Sequence, residues 1–131
     1  MRGLRIAILS LIGLAPALPA LALDCSQPMT QRDMNQCAQL AYEAADRDLN
    51  AAYQVAMARA KSWDMADTRG PRATDTLRDA QRSWISFRDA ACLAESLRYR
   101  GGSMQGMEYS RCLEKLTRRR TDDLNYLGAE Y

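Results

Sequence analysis

The sequence predicts an all-α fold, an antiparallel three-helix bundle stapled by two disulfides and preceded by a cleaved signal peptide. Three observations lead there. The alternation of apolar and polar residues that marks a strand is absent. Long alanine-rich segments without Gly or Pro are separated by two turn signals. Four cysteines sit in a chain of 131 residues, and an even number in a small exported domain reads as a disulfide framework.

The chain opens on "MRGLRIAILSLIGLAPALPALA", which has two early arginines, an apolar run from Ile6 to Leu14, and Ala20-Leu21-Ala22 as a small-x-small cleavage site. This is the pattern of a secretory signal peptide over residues 1–22. It leaves a single mature domain over 23–131, periplasmic or secreted. The apolar run is too short, at about 1.5 Å per residue, to cross a ~30 Å hydrocarbon core. No later segment approaches it, so no transmembrane segment is expected after cleavage. Cys25 follows Asp24 rather than the small residue that lipid attachment wants, which favours a soluble domain.

The first helix starts at Thr30, with Asp33 three residues on forming a capping box, and continues to about Ser62. "DMADTRGPRATD" breaks it at Gly70-Pro71. Thr74 or Asp75 then caps a second helix that runs to about Tyr99. Gly101-Gly102 end that one, and Ser103 starts a third that closes near Gly128.

In an antiparallel hairpin, residues equidistant from the turn lie level. A first turn centred on residue 67 sets Asp46 opposite Arg88, Asn50 opposite Trp84 and Tyr53 opposite Gln81. Asp46, Asn50 and Tyr53 share one helical stripe, and Gln81, Trp84, Arg88 and Cys92 share another. Asp46 is therefore expected to pair with Arg88, Gln81 to meet Tyr53, and Asn50 to accept from the Trp84 indole. A second turn centred on residue 102 sets Cys92 level with Cys112, which leaves Cys25 for Cys37. Each bridge closes a loop worth on the order of 3 kcal/mol in chain entropy. The crossed pairing, Cys37–Cys92 with Cys25–Cys112, is the alternative that spacing leaves open.

The formal charge of +2 belongs to Arg2 and Arg5 of the leader, so the mature domain is near neutral. That argues against nucleic acid as a partner. The balance is uneven: residues 24–68 hold seven acids and four bases, and residues 98–120 hold seven bases and two acids. There is no histidine, which removes the commonest general base and metal ligand. With all four cysteines oxidised there is no thiol nucleophile either. Asp46, Asp48 and Asp89 are carboxylates of a charge-mixed helix surface, so no catalytic residues and no enzyme are expected. The cysteine spacing contains no C-x-x-C pair, and Met57, Met65, Met104 and Met107 read as core filler. No metal and no cofactor are expected.

Three motifs carry a family resemblance. Asp46, Leu49-Asn50 and Tyr53 give "D..LN..Y". Ala80-Gln81, Trp84, Phe87-Arg88-Asp89 and Cys92 give "AQ..W..(Y/F)RD..C". Cys112-Leu113, Leu116-Thr117, Arg120 and Leu124 give "CL..LT..R...L". In this order, with all four cysteines, they resemble the lysozyme inhibitor LprI-like family over residues 25–124. The resemblance implies an exported helical domain that acts by binding, with inhibition of a c-type lysozyme as the specific expectation. It carries no catalytic residues over. The competing expectation is an envelope interaction or scaffold protein whose partner is another periplasmic protein or peptidoglycan.

Two further places are candidates for contact. Trp63 stands beside the first loop, outside the packed stripes, where a tryptophan can cap the core or anchor in a partner. The second loop offers Arg98, Tyr99, Arg100 and Ser103 around its glycine turn. A rigid cationic loop suits a cleft that works with two carboxylates.

Overall fold

The computed structural model describes residues 23–129, and the expected signal peptide therefore lies outside the described residues. Three helices follow one another: α1 (Gln31–Ala66), α2 (Ala73–Ser96) and α3 (Gln105–Gly128), with a 3-10 turn over Leu97–Tyr99 extending α2. No strand occurs among the described residues. The bridges are Cys25–Cys37 and Cys92–Cys112, with Cα atoms 5.5 and 5.3 Å apart. The local connectivity is the one adopted, and the crossed pairing is not.

The capping box is formed at the start of α1. The Thr30 hydroxyl accepts the Asp33 N–H, and the Asp33 carboxylate accepts the Thr30 N–H, both at 3.1 Å. The buried residues of α1 are Ala38, Ala45, Leu49, Ala52, Ala56 and Ala60, whose spacings of three, four and seven make a single stripe. Because nearly all are alanine, another backbone can come close. The helix that does so is α3, which runs parallel to α1 and approaches it far more closely than α2 does. Asn35 donates to the Ser103 carbonyl at 3.1 Å and the Ser110 hydroxyl donates to Gln39 Oε1 at 3.1 Å. At the other end of the seam a Cβ on Gly128 would fall 2.9 Å from Val55 Cγ1. Leu124 and Thr117, both fully buried, fill the space between the two backbones.

The start of α2 departs from the sequence expectation. Neither Thr74 nor Asp75 caps it; the helix begins at Ala73, and the Arg72 side chain at the cap position makes no capping hydrogen bond but lies 3.7 Å from Asp64. Asp64, reaching across from α1, does the capping. Its carboxylate accepts the Ala73 N–H at 2.6 Å, the Thr74 N–H at 3.1 Å and the Thr74 hydroxyl at 2.7 Å. One carboxylate collecting three donors at the positive end of a helix outcompetes a local hydroxyl. Asp75 instead pairs with Arg78 at 2.8 Å. Placing Asp64 there requires α1 to run a turn beyond Ser62, and it does. Gly70, at φ +79°, then supplies the left-handed residue that reverses the chain. The second reversal passes through Gly101 at φ +74°, and α3 begins at Gln105 rather than Ser103.

The Thr74 hydroxyl foremost, and the two N–H groups with it, hold the Asp64 carboxyl below its ordinary value, against the opposing effect of burial. A carboxylate with a depressed folded pKa stabilises the fold above the unfolded value, about 3.9 for Asp, and loses that contribution as pH falls through the lower folded value. Asp64→Asn should therefore lower the melting temperature clearly at neutral pH, with the gap to the parent closing as pH is taken below about 3.9. Thermal unfolding followed by circular dichroism across that range checks it. A gap that stays constant with pH would remove the cap from the account.

Candidate functional site

Arg88 is where all three helices meet. Its residue is only 6% exposed, a rare position for an arginine unless it is paired. The guanidinium sits 3.5 Å from Asp46 of α1 and 2.8 Å from Asp89 of α2, and its Nη1 donates to the Thr117 hydroxyl of α3 at 3.4 Å. Two aromatic faces complete the cage: the Arg88 carbon lies 5.4 Å from the Tyr42 ring centre and 5.1 Å from that of Trp84, within cation–π range. Burial raises the Tyr42 hydroxyl above its ordinary value, with the Arg88 charge acting in the opposite direction. The sequence singles out Asp89 only as a surface carboxylate and motif residue and Thr117 only as a motif residue, and it does not single out Tyr42. Tyr42 was visible in principle, since it lies four residues before Asp46 on the same stripe.

Beside this cage α1 and α2 stand apart, because their facing residues are long, and a groove of about 430 Å³ opens between them. Asp46, Asn50, Tyr53, Gln81 and Arg88 of the two sequence stripes line it, together with Leu49, Arg78, Arg82 and Ile85. Trp84 does not; it packs against the cluster of Leu49, Leu77 and Leu124. Two expected pairings are replaced. Asn50 donates to its own-helix neighbour Asp46 at 3.2 Å rather than serving the Trp84 indole. Gln81 Oε1 accepts from Arg120 of α3 at 3.0 Å rather than meeting Tyr53. In both cases a charged partner is nearer, and a charge-assisted bond prevails over a neutral one.

The two candidate contact loops lie at opposite ends of the bundle, separated by about 40 Å of α1 at ~1.5 Å per residue. At one end Trp63, 44% exposed, walls an apolar cleft with Ala56, Ala60, Leu77 and Leu127. At the other, residues 97–104 form a tight tip. It is tied by Arg100 N–H to Leu97 carbonyl, Gly102 N–H to Tyr99 carbonyl, and Gln105 N–H to Gly102 carbonyl, and Gln105 Oε1 accepts the Gly101 N–H. Arg98, Arg100 and Ser103 are exposed and Tyr99 is half-buried, with the Arg98 guanidinium 6.0 Å from the Tyr99 ring centre. Leu93, Leu97 and Met104 make an exposed apolar collar around the tip. Met104 and Met65 are thus surface residues, whereas Met107 is buried as core filler.

Asp46 and Asp89 are each partly exposed while Arg88 is not. Either acid can therefore be lost at a modest cost of about 1 kcal/mol, because the other still neutralises the guanidinium. Losing both strands a buried cation and should cost ~3–5 kcal/mol. Urea unfolding of Asp46→Asn, Asp89→Asn and the double variant checks this. Strict additivity of the two single effects would remove the shared-partner arrangement.

The comparisons with known proteins match this architecture. A crystal structure of a DUF1311 family protein from Pseudomonas putida KT2440 superposes with a TM-score of 0.66 at 23% identity, over 78% of this chain and 97% of that one, and DUF1311 is the same family. An uncharacterised protein of Rhizobium meliloti (strain 1021) is 40% identical over 108 residues, 79% of this chain and 78% of its own length. The family and the two disulfides point to an extracytoplasmic protein, and no helix among the described residues is long and apolar enough to cross a membrane. Residues 24–124 match the family described as lysozyme inhibitor LprI, and the chain belongs to that family.

Proposed function

We propose that the protein is a periplasmic or secreted inhibitor of c-type lysozyme, with its mature domain starting near Leu23, and that it acts through the 97–104 tip without catalysing a reaction. The family match supports the target, and the geometry of the tip carries the mode of action. Arg98 and Arg100 project from a loop whose backbone is hydrogen-bonded at successive residues and which the Cys92–Cys112 bridge backs at its base. Such a loop surrenders little conformational entropy on binding. A lysozyme cleft holds two catalytic carboxylates, so two guanidinium groups entering it meet opposite charge in a water-poor site, where complementarity sets specificity and association rate. The collar of Leu93, Leu97 and Met104 supplies apolar area around the charged tip, the arrangement of anchor and surround that productive interfaces use.

Neither arginine of the tip makes a salt bridge among the described residues, and Arg98 donates only to the Glu95 carbonyl at 3.2 Å. Both charges are therefore available to a partner. The oxidised mature domain should slow lysozyme-driven clearing of a bacterial cell suspension in a stoichiometric, saturable way. Replacing Arg98 and Arg100 together by alanine should raise the inhibition constant by about 10- to 100-fold, as the loss of one or two charge-assisted contacts implies, while leaving the melting temperature within a degree or two. Inhibition by the double variant equal to that of the parent would remove the tip as the inhibitory element.

A further inference from the structure

The groove between α1 and α2 has no part in the tip reading, and its chemistry is that of a ligand site. We propose that it binds a sugar carrying a carboxylate, with the ring over Tyr53 and the carboxylate at Arg82.

Four observations converge. First, Gln81 is more than nine-tenths buried and lines the groove. Its carbonyl oxygen is taken by Arg120, yet its amide nitrogen has no hydrogen-bond partner among the described residues. That nitrogen is not a sealed-in orphan but is reached by solvent, so the acceptor of a bound ligand can take the place of water there. Second, the Tyr53 hydroxyl, in a half-buried ring on the same groove, likewise has no partner there. Third, Asn50 spends its nitrogen on Asp46 and keeps its oxygen as an acceptor. Fourth, Arg82 lines the groove, is exposed and makes no ion pair among the described residues, whereas Arg78 pairs with Asp75 and Arg88 with Asp46 and Asp89.

An aromatic face, two amides offering both a donor and an acceptor, and one uncommitted cation form the set that a polyhydroxylated ring with a single negative charge requires. Sugar hydroxyls both donate and accept, so they satisfy the Gln81 nitrogen and the Asn50 oxygen together, and a guanidinium matches a carboxylate with two parallel bonds. The volume of about 430 Å³ lies within the ~300–1,000 Å³ typical of small-ligand sites. A peptide is less well served: the walls are two helices with no open backbone edge to pair with an extended strand.

The same chemistry occurs in N-acetylmuramic acid of wall glycan and in the uronates of acidic polysaccharides, and a titration separates them. The oxidised domain, without lysozyme, is titrated with N-acetylmuramic acid, glucuronic acid, N-acetylglucosamine and acetate while its amide and methyl resonances are followed by nuclear magnetic resonance. Expected are saturable shifts at the Gln81 side-chain amide, Tyr53 and the Ile85 methyls, half-complete in the millimolar range, with the neutral sugar and acetate each at least tenfold weaker. Saturation by N-acetylmuramic acid alone identifies wall glycan as the source; saturation by glucuronic acid as well, or alone, identifies acidic polysaccharide. In Arg82→Ala the acidic sugars should weaken by about tenfold, toward the level of the neutral one. The proposal is overturned if no sugar produces saturable shifts, if N-acetylglucosamine or acetate matches the acidic sugars, or if Arg82→Ala binds as the parent does.

Discussion

A guanidinium buried among three helices governs this molecule. Arg88 cannot be sequestered without anions and hydrogen-bond acceptors around it, and those come from every helix: Asp46 from α1, Asp89 from its own, Thr117 from α3. Satisfying one charge therefore sets the relative height and rotation of all three elements. The Cys92–Cys112 bridge, one turn further along α2, pins the same level of α2 to α3 covalently. Charge and sulfur thus specify the same alignment, which is how a body with so modest a core holds a single packing.

The bundle is also unequal by design of its side chains. The alanine stripe of α1 brings α3 close, whereas Tyr53, Gln81 and Arg88 keep α2 away from α1 along their middle. Close packing between α1 and α3 makes a stiff spine, and the looser pairing leaves an open polar channel along one side. At the far end the two helices are drawn together again, because the Asp64 carboxylate closes the start of α2. The result is a rod whose interior mixes a small apolar core with the buried Arg88 cage, with a groove on one side and a charged tip at one end.

Such a body suits work done by shape and charge. The chain has no histidine and no free cysteine among the described residues, and its helices hold arginine, carboxylate, amide and aromatic groups on rigid elements. Rigid presentation is what allows a small domain to bind without a large entropic loss.

Much of this was written in the linear order of residues. The Thr30–Asp33 capping box, the Gly70 and Gly101 reversals and the alanine-rich runs announced three helices, and hairpin symmetry about residue 102 set Cys92 level with Cys112. The helices and turns are local and so are legible from spacing, whereas the choice of the local over the crossed disulfide pairing is made by the fold. What the linear order does not settle is the choice among competing partners. Gln81 and Tyr53 lie level in the first hairpin, yet Arg120 arrives from α3 with a charge and claims the Gln81 oxygen. Thr74 looked like a cap until Asp64 reached over from the preceding helix. Arg88 was paired with Asp46 alone, while its shorter contact is to Asp89. Pairwise register says which residues are level; which of several level partners is chosen depends on the distances and charges that only the packed trio brings together.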